Sequence, residues 1–359
     1  MHNLTFWKDK KVFVTGHTGF KGTWLCKILI NLGARVTGYA LAPDTTMVLF
    51  GCSEISSSMT SILGDVRDCH HLAASFNKAN PEIVFHLAAQ PLVSNGYNEP
   101  CATYETNVMG TVNILECIRN AETVRSFLNI TTDKVYLNRE WEWGYRENEP
   151  LDGFDPYSNS KSCSELITHC YNNSYLKSRL IAVSTARAGN VIGGGDFSKD
   201  RIIPDCIRAA MNNTIVIVRN PYSIRPYQHV LEPLYVYMMI AERQYEDLRY
   251  ADSYNVGPDE NSCMTTGDLA DLFCQKWGNG LSWITLPEDS PHEANRLKLD
   301  CSKLKTTFSW SPRWNLQEAV ARTIEWTKVY MTRGNISDCM NKQITEYFTQ
   351  MKENSYEAH

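Results

Sequence analysis

Short apolar runs alternate with segments of helical periodicity through the first half of the chain. Lys11–Thr15 is rich in β-branched and aromatic residues, and apolar positions recur at helical spacing across residues 24–32. The same signals continue as predicted strands at 35–39, 61–65, 83–87, 126–130 and 181–187 and as predicted helices at 69–79 and 104–120. Strands alternating with helices predict an α/β fold with a doubly wound parallel sheet of Rossmann type.

The alternation weakens after residue 187, where Gly193-Gly194-Gly195 precedes a proline-marked region. We therefore predict a Rossmann domain at 1–187 and a smaller mixed α/β domain at 188–228 and 258–359. An apolar helix at 234–241 and a strand-like segment at 254–256 are typical of a sheet layer. Residues 229–257 are therefore expected to return to the first domain.

The bulk composition argues against several classes of partner. The 359 residues carry a formal net charge of -5 and no lysine- or arginine-rich run, so neither nucleic acid nor an anionic membrane is expected. The twelve cysteines are scattered singly without zinc-site spacing, which indicates reduced thiols and no bound metal. The first residues lack the apolar core of a secretion signal, so we expect a cytoplasmic protein.

A glycine-rich loop follows the first predicted strand and opens the first predicted helix. In Gly16-His17-Thr18-Gly19-Phe20-Lys21-Gly22, the glycines allow a tight turn and close approach of a pyrophosphate, which the helix N-terminus attracts. The spacing is GxxGxxG instead of GxGxxG, and glycines that only turn a strand into a helix are the alternative. The context favours a dinucleotide site with candidate contacts at Gly16, Thr18, Gly19, Phe20 and Gly22.

The residues after the next two strands bear on which dinucleotide binds. Residues 38–43 offer no carboxylate for the adenosine ribose and no arginine for a 2′-phosphate, so NAD is favoured while NADP stays open. Asp65, after the third strand, is a candidate acceptor for the adenine amino group. Its alternative role is that of a helix N-cap.

Tyr157 and Lys161 are candidates for hydride chemistry on an alcohol. They lie four residues apart on a predicted helix and therefore on one face. The ordinary pKa of tyrosine is about 10, and lowering it to about 7 requires about 4 kcal/mol. Lys161 and a positively charged nicotinamide ring would favour the phenolate. Support for this interpretation comes from the glycine loop, from residues 87–90 after the fourth strand, and from Asn107.

Asp133 and Lys134, directly after the fifth predicted strand, add two proton-transferring groups that simple alcohol oxidation does not need. They predict a further step, loss of water, with Asp133 as the acid and Lys134 as the base. The two could exchange these roles, because a sequence does not order coupled groups by pKa. An exposed turn with a local ion pair is the alternative interpretation.

These motifs together resemble the extended short-chain dehydrogenase/reductase family, in its nucleotide-sugar branch. The matching positions run over nearly the whole chain and are Gly16, Gly19, Gly22, Asp65, His86-Leu87-Ala88-Ala89, Asn107, Tyr157, Lys161, Arg187, Asn190 and Val191. The resemblance implies a Rossmann lobe for NAD(P), a C-terminal lobe for a sugar nucleotide, and a homodimer or homotetramer. It also implies further dinucleotide contacts from Val66, Leu87, Ala88, Ala89, Asn107, Thr131, Tyr157, Lys161 and Arg187.

Within this family, residues 133 and 134 resemble those of the 4,6-dehydratases, which carry an acid and a second proton-transferring group there. Epimerases of the family usually carry small or hydroxyl residues at these positions. The resemblance implies that Thr132 holds the sugar O4 beside Tyr157, which takes the 4-hydroxyl proton while hydride leaves C4. Lys134 would then remove the C5 proton, and Asp133 would protonate the departing 6-hydroxyl. The hydride returns to C6, so a 4-keto-6-deoxy sugar forms without net redox change.

Four segments, the glycine loop and residues 141–149, 193–196 and 225–233, resemble bacterial CDP-glucose 4,6-dehydratases. This implies CDP-glucose as substrate, in the synthesis of O-antigen dideoxysugars. Arginines suit its pyrophosphate. Candidate substrate contacts are Gln90, Tyr136, Asn190, Arg201, Arg219, Arg225, Gln228 and His292. Two alternatives stay open: another 4,6-dehydratase, such as one acting on UDP-N-acetylglucosamine, and an NAD-binding sensor without turnover.

Overall fold

Seven parallel strands form the central sheet of this computed structural model, which describes residues 4–43, 49–285 and 296–354. The strands within these ranges are β1 (Lys11–Thr15), β2 (Arg35–Ala40), β3 (Thr60–Leu63), β4 (Ile83–His86), β5 (Ser126–Thr132), β6 (Ala182–Ala188), β7 (Asn190–Ile192), β8 (Val216–Ile217), β9 (Ile224–His229), β10 (Ser253–Val256), β11 (Cys263–Thr265) and β12 (Trp283–Ile284). The α-helices are α1 (Phe20–Asn31), α2 (Leu49–Cys52), α3 (Cys69–Ala79), α4 (Val93–Asn98), α5 (Pro100–Tyr104), α6 (Gly110–Asn120), α7 (Pro156–Tyr171), α8 (Ile202–Asn212), α9 (Leu231–Glu246), α10 (Thr266–Trp277), α11 (Ser302–Phe308), α12 (Leu316–Met331) and α13 (Ile336–Asn354).

The strand order in the central sheet is β10-β6-β5-β4-β1-β2-β3, and every neighbouring pair is parallel. Val14 of β1 lies opposite Gly38 of β2 on one side and Phe85 of β4 on the other. The chain reverses its winding between β1 and β4, so the loops after these strands diverge and open a crevice at the carboxyl ends. The predicted doubly wound Rossmann sheet is confirmed.

The predicted helices and strands of the first half are present, with shifts at their ends. The predicted strand at 61–65 is β3, which ends at Leu63 and leaves Asp65 in the loop that follows. The helix predicted at 24–32 begins at Phe20, directly after the glycine loop. The helix predicted at 104–120 is α5 and α6 joined by a π-helical turn, Glu105–Met109.

Helices cover both faces of the sheet. On one face α3 and α6 pack against the sheet, and on the other α1, α9 and α13 join one large apolar cluster. The apolar helix predicted at 234–241 is the buried centre of α9, which contacts β5 and β6, and β10 extends the sheet beside β6. Trp314, Trp326 and Tyr347 near the C-terminus belong to the same cluster as α1. The division of domains at residue 187 stays a prediction.

A further group of elements, here called the second lobe, lies outside the central sheet and consists of β7, β8, β9, β11 and β12 with α8, α10 and the first half of α12. Its three-stranded sheet, in the order β11-β9-β7, mixes one antiparallel and one parallel pair, and β8 pairs with β12. A separate apolar core joins α8, α10 and α12 beneath these strands. Among the helices of the described residues, none has both the length and the apolarity needed to cross a bilayer.

Candidate active site

The glycine loop meets the requirements of a dinucleotide site. Gly16 has φ 77°, and a Cβ there would lie 2.8 Å from Ala88 N, while a Cβ on Gly22 would lie 2.1 Å from Gly16 O. Both positions therefore need glycine. Gly19 is the N-cap of α1. Because glycine has no side chain, this cap position offers no side-chain acceptor to the N–H groups of the first turn. The N–H groups of the first helical turn remain available to a phosphate.

The loop after β4 is tied to the glycine loop and to the helices below it. Thr15 Oγ1 accepts hydrogen bonds from Leu87 N and Ala88 N, both at 3.1 Å. Ala89 continues this loop, and Asn107 holds the main chain of Gln90. The predicted dinucleotide residues 87–89 and 107 thus border the crevice between β1 and β4.

Gln90 itself has little freedom to reach a substrate. Its amide nitrogen donates to Leu92 O at 3.0 Å and to Thr103 Oγ1 at 2.9 Å, and its amide oxygen accepts from Leu92 N at 2.6 Å. These three hydrogen bonds fold the loop between β4 and α4. The structure gives Gln90 a structural role, and its predicted contact with the hexose stays a prediction.

Three other predicted dinucleotide residues lie around the end of β2 and β3. Thr18 Oγ1 donates to Leu41 O at 3.0 Å, and Val66 is buried against Gly110. Asp65 receives hydrogen bonds from the guanidinium of Arg67 at 2.9 and 2.6 Å, which lower the pKa of its carboxyl. The N-cap of α3 is Asp68, so the capping alternative for Asp65 is wrong.

A cleft of about 330 Å³ opens between the two lobes at the carboxyl ends of β5 and β6. The predicted site residues that line it are Phe20, Thr131, Thr132, Asp133, Lys134, Tyr157, Asn190, Arg201, Arg219 and Arg225. The structure thus brings the proposed proton-transferring groups and four of the proposed substrate contacts into one space. Another cavity of about the same volume lies near Arg146 and Asp300 and contains no predicted site residue.

Asp133 is buried at the wall of this cleft, with a side chain next to those of Thr132 and Lys134. Thr132 Oγ1 donates to Asp133 Oδ1 at 2.9 Å, and Asp133 Oδ2 is a buried atom without a hydrogen-bond partner. Burial raises the pKa of the Asp133 carboxyl, against the opposing charges of Lys134 and Arg225 and the hydrogen bond from Thr132. Asp133 is 1% exposed, so the exposed-turn alternative is wrong for this residue. Lys134 is partly buried.

Tyr157 and Lys161 lie on α7, one turn apart, as predicted. Asp155 caps this helix by accepting from Ser158 N at 3.0 Å, which fixes Tyr157 in the first turn beside the cleft. Burial raises the pKa of Tyr157 to about 12, opposed by a hydrogen bond with Thr132 and the charge of Arg201. The expected drop in this pKa is therefore absent from the protein alone, and a further positive charge is needed to favour the phenolate.

Lys161 is buried and donates from Nζ to Ile130 O at 3.1 Å. Burial and the charge of Lys21 lower its pKa to about 7, opposed by Glu165. Lys21, in the glycine loop, also lines the cleft, and burial with the charge of Arg201 lowers its own pKa to about 8. Three cationic side chains therefore approach the cleft from the glycine loop, α7 and the second lobe.

The arginines of the second lobe reach the cleft with partners of their own. Arg201 pairs with Asp196 at 3.1 Å and Arg219 with Asp200 at 2.9 Å. Arg225 is 2% exposed, and its charge acts on Asp133. Asn190 lies between these groups at the start of β7. Guanidinium groups at a partly desolvated cleft are suited to a pyrophosphate.

The remaining predicted contacts are not brought to the cleft. Arg187 Nη1 donates to Tyr136 Oη at 2.8 Å, which donates to Asn255 Oδ1 at 2.6 Å, in a buried network beneath β5 and β6. Gln228 Nε2 donates to Val256 O at 2.9 Å. These side chains hold strands together, so the structure supports a structural role for Arg187, Tyr136 and Gln228. His292 lies outside the described residues.

Two charged residues near the reacting groups were missed from the sequence. Lys21 lies within the glycine motif, and a lysine at this position next to the predicted phosphate site could have been identified as a candidate site residue. Glu165 continues the spacing of four from Tyr157 and Lys161 and so shares their helix face. Across the part of the chain that the structure describes, no group of three or more potential ligands could hold a metal ion.

Comparison with known proteins gives the family. A model of the family described as GDP-mannose 4,6 dehydratase matches residues 13–323. The CDP-glucose 4,6-dehydratase of Salmonella typhimurium (strain LT2) is 47% identical over 355 residues, which are 97% of this chain and 99% of that protein. The dTDP-glucose 4,6-dehydratase of Haemophilus influenzae is 24% identical, over 88% of this chain and 97% of that protein.

Solved structures agree on the fold. The UDP-glucose 4-epimerase of Thermotoga maritima, solved with UDP-glucose, has a TM-score of 0.78 at 20% identity, over 89% of this chain and 99% of that one. The dTDP-glucose 4,6-dehydratase of Bacillus anthracis, in complex with NAD, has a TM-score of 0.74 at 19% identity, over 88% and 96%. Fold and site together define a Rossmann protein of the short-chain dehydrogenase/reductase class. The chain belongs to the GDP-mannose 4,6-dehydratase family.

Proposed function

We propose that this protein is a CDP-glucose 4,6-dehydratase, a hydro-lyase that uses NAD and forms CDP-4-keto-6-deoxyglucose. The observation that carries the proposal is the buried Asp133, with its raised pKa, beside Thr132 and Lys134 in the cleft that Tyr157 lines. Epimerisation at C4 removes no water, so it does not require an acid that protonates a departing hydroxyl. The identity of 47% over almost the whole chain to a CDP-glucose 4,6-dehydratase supports both the reaction and the nucleotide.

The glycine loop supports a bound dinucleotide, because backbone contacts that only glycine permits at Gly16 and Gly22 fix the tight turn of the loop, and α1 presents its uncapped N-terminus. NAD, when bound, supplies the hydride acceptor for C4 and the hydride donor for C6. Lys21 lines the cleft and its charge interacts with that of Asp133, and Lys161 lies near Lys21, so these two lysines are our candidates to face the bound dinucleotide. The ribose contact expected from an acidic residue after β2 is absent from residues 38–43.

The first proton moves at Tyr157. Its phenolate accepts the proton of the sugar 4-hydroxyl while the hydride leaves C4, and Thr132 orients the same oxygen. A buried tyrosine with a pKa near 12 needs cationic neighbours to act as a base. Lys161, together with the positive ring of the dinucleotide, is our candidate for this role.

The second and third protons move at Lys134 and Asp133. A ketone at C4 makes the C5 proton acidic, and Lys134 is our candidate to remove it. Asp133, whose pKa is raised by burial, gives its proton to the 6-hydroxyl, which leaves as water. Lys134 returns its proton to C5 when hydride reaches C6. The proton taken from the 4-hydroxyl by Tyr157 replaces the one lost by Asp133, so the reaction balances as loss of one water.

The sugar nucleotide would lie across the second lobe. Arg201, Arg219 and Arg225 are our candidates for its pyrophosphate, since each lines the cleft with a guanidinium, and Asn190 is our candidate for a neighbouring hydroxyl. Arg201 and Arg219 now pair with carboxylates, and a dianionic ligand would compete for these contacts. His292 stays a candidate on sequence grounds alone.

We further propose a homo-oligomer that works in the cytoplasm. The resembled family often forms dimers through the helices that begin near Tyr104 and Tyr157, and here these helices carry exposed apolar side chains, with Met109 50% and Leu166 56% exposed. Contact with another subunit would remove such surface from water. Light scattering of the purified protein gives the mass directly; a monomer at micromolar concentration would overturn this part.

Substrate profiling tests the proposed function. The purified protein is supplied with NAD and offered CDP-, UDP-, dTDP- and GDP-glucose and UDP-N-acetylglucosamine in turn, and products are identified by NMR. We expect the 4-keto-6-deoxy product from CDP-glucose. Turnover of UDP-N-acetylglucosamine instead would assign the protein to another 4,6-dehydratase type, and NAD binding without any turnover would point to a sensor.

A further inference from the structure

Glu165 is a buried carboxylate with four donors. Its Oε1 accepts from Thr131 Oγ1 at 2.5 Å and from Arg187 Nε at 3.1 Å. Its Oε2 accepts from Thr185 Oγ1 at 2.7 Å and from Arg187 Nη2 at 3.0 Å. The side chains of Arg187 and Glu165 are 4% and 2% exposed. Donors from β5 and β6 therefore hold an ionised carboxylate at one place under the cleft.

This carboxylate lies one helical turn beyond Lys161, on the face of α7 that also carries Tyr157. The titratable groups around Lys161 come from several elements. Lys21 approaches from the glycine loop, His86 from β4, and Tyr157 and Glu165 from α7 itself. Asp133, after β5, acts on Lys21 and Tyr157, while Arg187 of β6 is bound to Glu165.

These neighbours have opposite effects on the Lys161 ammonium. Burial and the positive charge of Lys21 disfavour it, and Ile130 O is a neutral acceptor. His86 is buried with a pKa near 3, so it brings no positive charge at neutral pH. Glu165 is the carboxylate whose charge favours the ammonium. The pKa of Lys161 is lowered despite this charge, so Glu165 offsets only part of a shift that burial dominates.

We propose that Glu165 is a positioning residue, which places a fixed negative charge one helical turn from Lys161 and so favours its ammonium form, while Arg187 and the two threonines keep Glu165 in place. Thr131, whose hydroxyl binds Glu165, also lines the cleft, so the same carboxylate connects the floor of the active site to the strand ends. Arg187 would thereby act on Lys161 through Glu165. The inference rests on the proposed part of Lys161 in the chemistry at Tyr157, but the protonation of Lys161 can be measured without substrate.

The test compares wild type with Glu165→Gln, which keeps the shape of the side chain and removes its charge. Competitive acetylation over a pH series, read by peptide mass spectrometry of the NAD-supplied protein, reports the apparent pKa of each lysine. We expect the ratio of protonated to neutral Lys161 to fall about tenfold at a given pH, which is a pKa about one unit lower. Glu116→Gln, on α6 beside Arg119, is the control and should leave Lys161 unchanged.

An unchanged titration of Lys161 in a folded Glu165→Gln protein would overturn the proposal and leave Glu165 as a strand clamp. If the uncompensated Arg187 prevents folding, the double variant Glu165→Gln/Arg187→Gln is compared with Arg187→Gln, from which it differs only in the Glu165 charge, and Lys161 should titrate at lower pH in the double variant. The pH profile of CDP-glucose turnover is a second readout, and its alkaline limb should move to lower pH in Glu165→Gln. A shifted lysine titration in a protein that does not turn over CDP-glucose would support the positioning role and contradict the proposed function.

Discussion

Asn107 holds the main chain of Gln90 with both polar atoms of its side chain: Oδ1 accepts from Gln90 N at 2.8 Å and Nδ2 donates to Gln90 O at 3.1 Å. Nδ2 also donates to Ser160 Oγ at 2.9 Å on α7. One buried amide thus joins the loop after β4, which borders the dinucleotide crevice, to the helix of Tyr157.

Asn107→Ala should therefore loosen the dinucleotide site. We expect the NAD dissociation constant to rise about tenfold and the free energy of unfolding to fall by about 1–3 kcal/mol, because buried backbone groups lose their partner. Calorimetric titration and urea unfolding measure the two effects. Asn120→Ala, which removes an exposed hydrogen bond to Glu116 O, is the control. Unchanged NAD affinity in Asn107→Ala would contradict the role of Asn107 in holding the loop after β4 beside the dinucleotide site.

Asp133→Asn should stop the loss of water while leaving C4 oxidation in place, with a fall in turnover of about 100- to 10,000-fold. Burial raises the pKa of Asp133, so the acid form is kept to higher pH than in free aspartate. Wild-type elimination should decline as pH rises through this raised pKa, and the residual rate of the variant should lack that decline. A wild-type pH profile without an alkaline fall would contradict Asp133 as the acid.

The same raised pKa has a consequence for stability. Between the ordinary pKa of aspartate and the raised one, the folded protein binds more protons at Asp133 than the unfolded chain does, so stability contributed by this group falls as pH rises. As pH rises above the ordinary pKa of aspartate, Asp133→Asn should lose less stability than wild type. Urea unfolding over a pH series gives the comparison.

Lys134→Ala should separate oxidation from elimination. Without the amine, the C5 proton stays in place, so absorbance at 340 nm should rise on addition of CDP-glucose while no 4-keto-6-deoxy product forms. Lys177→Ala, which changes an exposed lysine that does not line the cleft, serves as the control. Dehydration at an unimpaired rate in Lys134→Ala would remove this residue from the mechanism.

Gly194 packs directly under Trp326, and a Cβ there would lie 2.0 Å from Trp326 Cγ. Gly194 O also accepts from Trp24 Nε1 at 3.0 Å, so the triple-glycine segment cannot move away freely. We expect Gly194→Ala to lower the free energy of unfolding by about 1–3 kcal/mol through overpacking. Gly51→Ala, with open space around its Cβ, is the matched control and should be neutral or slightly stabilising.

The sheet could be predicted because its signals are local. Apolar runs such as Lys11–Thr15 and the periodic segment now in α1 depend on neighbouring residues alone, and strand–loop–helix order fixes the glycine loop at a helix N-terminus. The grouping of Thr132 and Asp133 with Tyr157 could be predicted from the order of the elements. Residues at the carboxyl ends of parallel strands, and the helices that follow these strands, meet at one edge of the sheet.

The partners of individual side chains could not be predicted. Arg187 is bound by Glu165 and Tyr136, and Gln90 by Thr103, through contacts that only the folded chain creates. The resemblance to the family therefore predicted a dinucleotide contact for Arg187 and a substrate contact for Gln90, and it did not predict their partners within the protein. The pKa of Tyr157 could not be predicted either, since burial outweighs the opposing effects of the hydrogen bond with Thr132 and the charge of Arg201.

The most direct test of the central claim follows one deuterium atom. CDP-glucose labelled with deuterium at C4 is incubated with the protein and NAD, and the product is examined by NMR and mass spectrometry. Return of the same hydride after water has left predicts CDP-4-keto-6-deoxyglucose with deuterium at C6. Product with only solvent hydrogen at C6, or recovered substrate inverted at C4, would contradict it.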